Sequence, residues 1–126
     1  VLDLRVSQRR AMQQFYLDLF QENNEVYVLK EPSDEYFSNH WLSCVTINSD
    51  KLGKSREEVR LELEKENIES RPLWKPMHLQ PIFKDYPYYG GKISETLFET
   101  GLCLPSGSNL KNDDKNRIKE VFDRFF

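Results

Sequence analysis

Three prolines, Pro72, Pro76 and Pro81, most constrain what this chain can fold into. Each one removes a backbone N–H group and biases the preceding residue away from helix. We therefore expect residues 72–81 to form an irregular, stiff loop. The core must then come from regular elements on both sides of this loop.

The first half of the chain predicts one helix and two strands. From about Leu4 to Gln21, apolar residues recur at helical spacing, which indicates an amphipathic helix. Val26 to Leu29 follows as a short strand. Residues 41–47 are rich in β-branched and aromatic side chains, so we expect this strand to be central in the sheet.

The second half predicts further helices with clear ends. Ser55 and Glu58 have the spacing of a capping box, and we expect a helix from there to about Glu66, which Asn67 ends. Residues 68–71 then resume extended chain. A short helix precedes Gly101, a short buried strand spans 102–104, and an amphipathic helix closes the chain. This order of elements predicts an α+β fold, a small and mostly antiparallel sheet covered by helices.

Composition limits the possible partners. The 126 residues fit one domain, and the net charge of −3 leaves no basic field for nucleic acid or an anionic membrane. No run of residues is long and apolar enough to span a bilayer, so we expect a cytoplasmic protein.

Cys44 and Cys103 lie far apart in sequence, which favours buried free thiols over a metal site. The chain begins at Val1, and we expect it to be part of a longer protein.

The stretch from Arg71 to His78 carries the mixed chemistry expected of a ligand site. Arg71 can bind phosphate oxygens with two parallel hydrogen bonds, and Lys75 adds a point charge. Trp74 offers a flat face to a base or sugar, and His78 can hydrogen-bond. A stiff loop also loses little entropy on binding.

Spacing alone favours a simpler interpretation of the same stretch. In that interpretation Trp74 and Met77 pack in the core, Arg71 and Lys75 are solvated, and His78 caps a neighbouring element.

Residues 106–109 form a second candidate anion site or a plain loop before the last helix. Gly90 and Gly91 form a turn or a mobile flap. Arg5, Arg9 and Arg10 form a solvated helix face or a contact with another lobe.

A family resemblance favours the ligand-site interpretation of the stretch from Arg71 to His78 over the simpler one. The segment from Ile68 to Pro81, IESRPLWKPMHLQP, resembles the C-terminal region of the DegT/DnrJ/EryC1/StrS sugar aminotransferases. Within that family it most resembles the branch acting on UDP-linked 4-keto-6-deoxy amino sugars, the bacillosamine type. Residues 101–110 resemble the family's closing strand and loop, and residues 1–16 resemble the helix that joins its two lobes. Nearly the whole chain is covered.

The resemblance implies a C-terminal lobe of a fold-type I, pyridoxal-phosphate-dependent aminotransferase. Residues 1–22 would be the inter-lobe helix and residues 23–126 the α+β core, with the large cofactor-binding domain absent. No lysine here matches the family's Schiff-base position, so we expect no catalytic residue and no bound cofactor in this chain alone. The family implies glutamate and a UDP-sugar as substrates, and a homodimer.

The resemblance implies that Arg71, Trp74, Lys75 and His78 contact the nucleotide-sugar substrate, at the wall of a cleft between the lobes. Two other functions remain open from the sequence. One is a non-catalytic module that binds a nucleotide through the same loop. The other is a protein-interaction module that presents exposed aromatic side chains to another chain.

Overall fold

A four-stranded antiparallel sheet organises the computed structural model, which describes residues 1–126. The strands are β1 (Val26–Val28), β2 (Ser43–Ile47), β3 (Arg71–Pro72) and β4 (Gly101–Leu104). Their order across the sheet is β1-β2-β4-β3. The strand predicted to be central is therefore an interior strand, and the α+β class is confirmed.

Five helices accompany the sheet, and none has the length and hydropathy needed to cross a bilayer. Four of them match the predicted helices, and the short α2 was not predicted. They are α1 (Leu2–Leu19), α2 (Ser49–Leu52), α3 (Arg56–Lys65), α4 (Ile93–Thr100) and α5 (Asn112–Phe125).

The hydrophobic core lies between one face of the sheet and helices α1, α3 and α5. It contains 15 buried residues in one cluster, drawn from these three helices, the strands and the segments beside them. Tyr16 of α1 is fully buried, and its hydroxyl donates a hydrogen bond to the Pro105 carbonyl at 2.9 Å. This bond satisfies a buried hydroxyl and ties α1 to the segment after β4.

Local sequence explains where the elements end. Ser55 Oγ accepts from the Glu58 N–H at 3.2 Å, and the Glu58 carboxylate accepts from the Ser55 N–H at 2.7 Å, so the predicted capping box is present. Asn67 adopts a left-handed conformation with φ of 56° just after α3. Pro72 occurs in β3, an edge strand, where its missing N–H costs the sheet little.

Two expectations about the arginines and the second strand need correction. Trp41 and Leu42 precede β2 rather than forming part of it. Arg9 donates to the carbonyls of Trp41 and Ser106, and is not simply solvated. Arg10 donates to Glu31 at 2.8 Å and to the Ser38 carbonyl at 2.5 Å. These two arginines hold the loop between β1 and β2 against α1.

Candidate functional site

The edge of the sheet positions the predicted site residues. Arg71 pairs with Cys103 of β4, and Pro72 pairs with Leu102. The Leu73 N–H donates to the Gly101 carbonyl at 3.3 Å, so the chain stays fixed to β4 for one residue beyond β3. Trp74 is the first residue after the β3–β4 backbone hydrogen bonds end. Its position is set by the strand immediately before it.

Trp74 and Trp41 form an exposed aromatic pair. Their ring centroids are 6.2 Å apart and the ring planes are inclined by 26°. Trp74 is 66% exposed and Trp41 is 60% exposed, so neither indole belongs to the core. Met77 is also 63% exposed. The interpretation that placed Trp74 and Met77 in the core is therefore wrong.

A cleft of about 420 Å³ lies beside this aromatic pair. Both indoles line it, together with Arg71, Glu69, Cys103 and Ser106. A second cleft, of about 450 Å³, is also lined by both indoles, together with residues of the loop between β1 and β2. The two indoles thus border two clefts, with flat apolar faces available for stacking.

Arg71 supplies the cationic group of the first cleft. Its Nε and Nη2 atoms both donate to Glu69 Oε1, at 2.8 and 2.5 Å. Both side chains are about three-quarters exposed, at 76% and 73%. An ion pair as exposed as this contributes little to stability, about 0–1 kcal/mol. A stronger anion in the cleft could therefore replace the Glu69 carboxylate at small cost.

Lys75 and His78 lie outside both clefts. The Lys75 side chain is exposed, and its backbone carbonyl accepts from Gln80 Nε2 at 3.2 Å. His78 Nε2 lies 3.2 Å from Glu95 Oε1, and its ring stacks on Tyr88 with centroids 3.7 Å apart. The structure thus groups Arg71 with Trp74 and places His78 in a separate contact with α4.

The other candidate anion site is occupied by internal hydrogen bonds. Ser106 Oγ accepts from the Ser43 N–H at 2.7 Å and donates to the Leu104 carbonyl at 2.7 Å. At the N-terminus of α5, the Asp114 carboxylate accepts from the Lys111 N–H at 2.8 Å. A carboxylate at this position competes with any incoming anion, so the loop interpretation of residues 106–109 is favoured.

Lys75 does not meet the requirements of a lysine that binds pyridoxal phosphate. Such a lysine needs a desolvated pocket, and the cofactor's ring nitrogen needs a carboxylate partner. The Lys75 side chain is exposed on a surface loop. Lys75 therefore does not fit the role of the lysine that binds the cofactor.

Sequence reasoning missed Trp41, Glu69 and the loop that carries Trp41. Trp41 was assigned to a strand because of its β-forming neighbours, and nothing in the sequence indicates that it meets a residue 33 positions later. Glu69 could have been found, because a carboxylate two residues before an arginine in an extended segment lies on the same side of the strand.

Comparisons with known proteins identify the family. The model of the DegT/DnrJ/EryC1/StrS aminotransferase family matches residues 1–123. The chain belongs to this family. It is 38% identical over 130 residues to EpsN of Bacillus subtilis, which is named as a pyridoxal phosphate-dependent aminotransferase; the match covers 100% of this chain and 32% of EpsN.

One further relative supports the assignment, and one solved structure shows the same fold. GDP-perosamine synthase of Escherichia coli O157:H7 is 28% identical, over 86% of this chain and 29% of its own length. The crystal structure of the aminotransferase TlmJ from Streptoalloteichus hindustanus has the same fold, with a TM-score of 0.80 at 16% identity, over 95% of this chain and 31% of that one. The chain spans about a third of the length of the curated relatives it matches.

Proposed function

We propose that this chain forms one wall of the nucleotide-sugar site in a pyridoxal-phosphate-dependent aminotransferase. The observation that carries the proposal is the cleft of about 420 Å³, in which the Trp41–Trp74 pair and Arg71 stand together. An aromatic face and a guanidinium suit the base and the diphosphate of a nucleotide. Family membership and a relative named for a GDP-linked sugar support the same ligand class.

The finer proposal concerns the reaction of the intact protein. It transfers an amino group from glutamate to the C4 ketone of a UDP-linked 4-keto-6-deoxy sugar, and it is a cytoplasmic homodimer. Pyridoxal phosphate, bound by residues outside this chain, supplies the electron sink for the transfer. The large cofactor-binding domain belongs to that remainder, and residues 1–22 join it to the α+β core at 23–126.

Each site residue has a proposed role in this reaction. Arg71 exchanges its Glu69 partner for phosphate oxygens of the substrate, because the diphosphate carries two negative charges in total and its oxygens can accept two parallel hydrogen bonds from the guanidinium. Trp74 stacks on the base or sugar. Lys75 adds positive charge at the edge of the site, and His78, held by Glu95 and Tyr88, orients the loop or hydrogen-bonds the sugar.

A protein-interaction role has separate support. Beyond Trp74, large apolar side chains are exposed along the segment between β3 and β4, namely Met77, Ile82, Tyr86, Tyr89 and Ile93. An apolar surface of this extent is typical of a protein interface. In our proposal another part of the homodimer covers this segment, and a sedimentation measurement of the intact protein should give the mass of a dimer.

The transamination itself is tested by mass spectrometry. We expect the intact protein, with pyridoxal phosphate and glutamate, to convert the ketone of a UDP-linked 4-keto-6-deoxy sugar into an amine. Residues 1–126 alone should leave the same sugar unchanged under these conditions. Amination of the sugar by this chain alone, or an intact protein that leaves every nucleotide-linked keto sugar unchanged, would refute the proposal.

The Arg71–Glu69 pair gives a sharper test of the substrate role. In the intact enzyme, Arg71→Ala should raise the KM for the nucleotide sugar by about 10-fold, equivalent to ~1.4 kcal/mol of lost binding. Glu69→Gln should lower the same KM, because the competing carboxylate is removed. The KM for glutamate should change in neither variant. Equal changes in both KM values would indicate a structural role for the pair.

A further inference from the structure

The two cysteines, distant in sequence, are neighbours in the sheet. Cys44 of β2 and Cys103 of β4 are direct partners in the antiparallel register. Their Sγ atoms are 3.7 Å apart, and both are free thiols. The expectation that both free thiols are buried needs correction. Cys103 is buried, but Cys44 is only half-buried, and the two form a pair.

The hydrogen-bond pattern shows which kind of cross-strand pair this is. The Cys44 carbonyl accepts from the Leu29 N–H at 2.9 Å, so the backbone polar groups of Cys44 point toward β1 and away from β4. The Gly101 carbonyl accepts from the Leu73 N–H, so the backbone polar groups of Gly101 point toward β3. Because this direction alternates along a strand, the backbone groups of Cys103, two residues later, also point toward β3 and away from β2. Cys44 and Cys103 are thus a non-hydrogen-bonded pair.

This pair type has the geometry that a disulfide needs. Facing Cα atoms of a non-hydrogen-bonded antiparallel pair lie about 4.5 Å apart. Disulfides form across Cα separations of about 4.4–6.8 Å, with sulfurs about 2.05 Å apart. The thiols therefore need to approach each other only through side-chain rotation, while the backbone of the two strands can stay in register.

The pair is accessible from the clefts. Ser43 and Val45, on either side of Cys44, are buried, so Cys44 lies on the sheet face opposite the core. Cys103 lines the cleft that contains Arg71 and Trp74. Cys44 lines the second cleft, which Trp74 also borders. A small reagent can thus approach the sulfurs from the side of the proposed ligand site.

The pKa values of the two thiols also shift in opposite directions. The hydrogen bond from the Cys44 thiol lowers the pKa of Cys103. The same hydrogen bond, with burial as the second cause, raises the pKa of Cys44. A thiolate formed in this pair therefore resides on Cys103, and the thiolate is the nucleophile in disulfide exchange.

We propose that Cys44 and Cys103 form a redox-active dithiol, which a low-molecular-weight disulfide converts into a cross-strand disulfide. The Cys103 thiolate attacks one sulfur of the reagent, forms a mixed disulfide and releases one reagent thiolate. Cys44 then loses its proton and attacks Cys103 Sγ, which releases the second reagent thiolate. The protein loses two electrons and two protons, and the reagent becomes two thiols. The inference does not depend on the proposed function.

Mass spectrometry of the chain treated with glutathione disulfide tests the proposal. We expect the wild type to lose the mass of two hydrogens and both alkylatable thiols. Cys44→Ser and Cys103→Ser should instead stop at a mixed disulfide with glutathione or remain unmodified. A wild type that keeps two alkylatable thiols, or that accumulates only glutathione adducts, would overturn the proposal.

Two further measurements connect the result to the folded sheet. The oxidation should be faster in native buffer than in denaturant, because the strand register brings the sulfurs together. Equal rates would remove the geometric basis of the proposal. The oxidised wild type should also unfold at a temperature higher by roughly 10 °C, because the disulfide closes a long loop. Reduction should reverse the shift, and an unchanged midpoint would count against a native cross-strand bond.

Discussion

Trp41 and Trp74 stack with their ring centroids 6.2 Å apart, although one indole precedes β2 and the other follows β3. Arg9 of α1 holds the Trp41 carbonyl, and the last sheet hydrogen bond before Trp74 is made by Leu73. Both rings are therefore positioned by the backbone beside them while their faces remain exposed. This arrangement places an aromatic surface at the mouth of the cleft before any ligand arrives.

The contact of Tyr16 with Pro105 should stabilise the fold. Tyr16→Phe leaves the Pro105 carbonyl, at a half-buried position, without its 2.9 Å partner. We expect a loss of about 1–2 kcal/mol in the free energy of unfolding, measured by urea denaturation. Tyr27→Phe, at a tyrosine that is 57% exposed, is the matched control and should change little. Equal effects of the two substitutions would contradict the assigned role.

Gly101 should not tolerate a side chain. A Cβ atom at this position would lie 2.2 Å from Leu73 Cδ1 and 2.3 Å from the Leu97 backbone oxygen. Because the second contact is with backbone, relief requires α4 to move, and we expect Gly101→Ala to cost about 1–3 kcal/mol. Gly91→Ala, where a Cβ would meet nothing within 4 Å, is the control. Thermal unfolding of both variants distinguishes crowding from a general effect of glycine replacement.

Glu31 should make the stability of the loop between β1 and β2 depend on pH. The hydrogen bond from Arg10, followed by that from the Ser38 N–H, lowers the pKa of Glu31 from 4.5 to about 2. Folding therefore favours the ionised carboxylate. The stabilisation is fully present above pH 4.5 and is lost as the pH falls through about 2.

The comparison of Glu31→Gln with wild type checks this pH dependence. At pH 7 the variant should unfold at a lower temperature, and the difference should shrink as the pH falls between 4.5 and 2. Glu22→Gln, at an exposed position, should show no such trend. A difference that stays constant across this pH range would mean that the carboxylate charge is not the cause.

Periodicity and capping predicted most of the fold. The helix ending at Lys65 and the last helix follow from local patterns, because their apolar spacing and end signals lie within a few residues of each other. The short α2 was missed because its four residues contain no apolar stripe. The sequence predicts extended chain over residues 68–71, and the strand there, β3, instead spans Arg71–Pro72; it is compatible with a proline because it is an edge strand.

The site could be predicted only in part. The sequence indicated Arg71 and Trp74 because the stiff segment carries them together. It did not indicate that Trp41 contacts Trp74, or that Cys44 lies directly opposite Cys103 in the sheet. Both contacts depend on how β2, β4 and the loop before β2 align. Strand register is a property of the whole sheet, and no local pattern determines it.

The most direct test of the proposed substrate site is the steady-state kinetics of the intact enzyme carrying Trp74→Ala. If Trp74 stacks on the nucleotide sugar, the KM for that substrate should rise by about 10-fold, as expected for the loss of one stacked base or sugar, while the KM for the amino donor stays unchanged. Tyr27→Ala, which removes an aromatic ring that is 57% exposed and outside both clefts, should leave both values unchanged. An unchanged KM for the nucleotide sugar in the Trp74 variant, or equal increases for both substrates, would contradict the account.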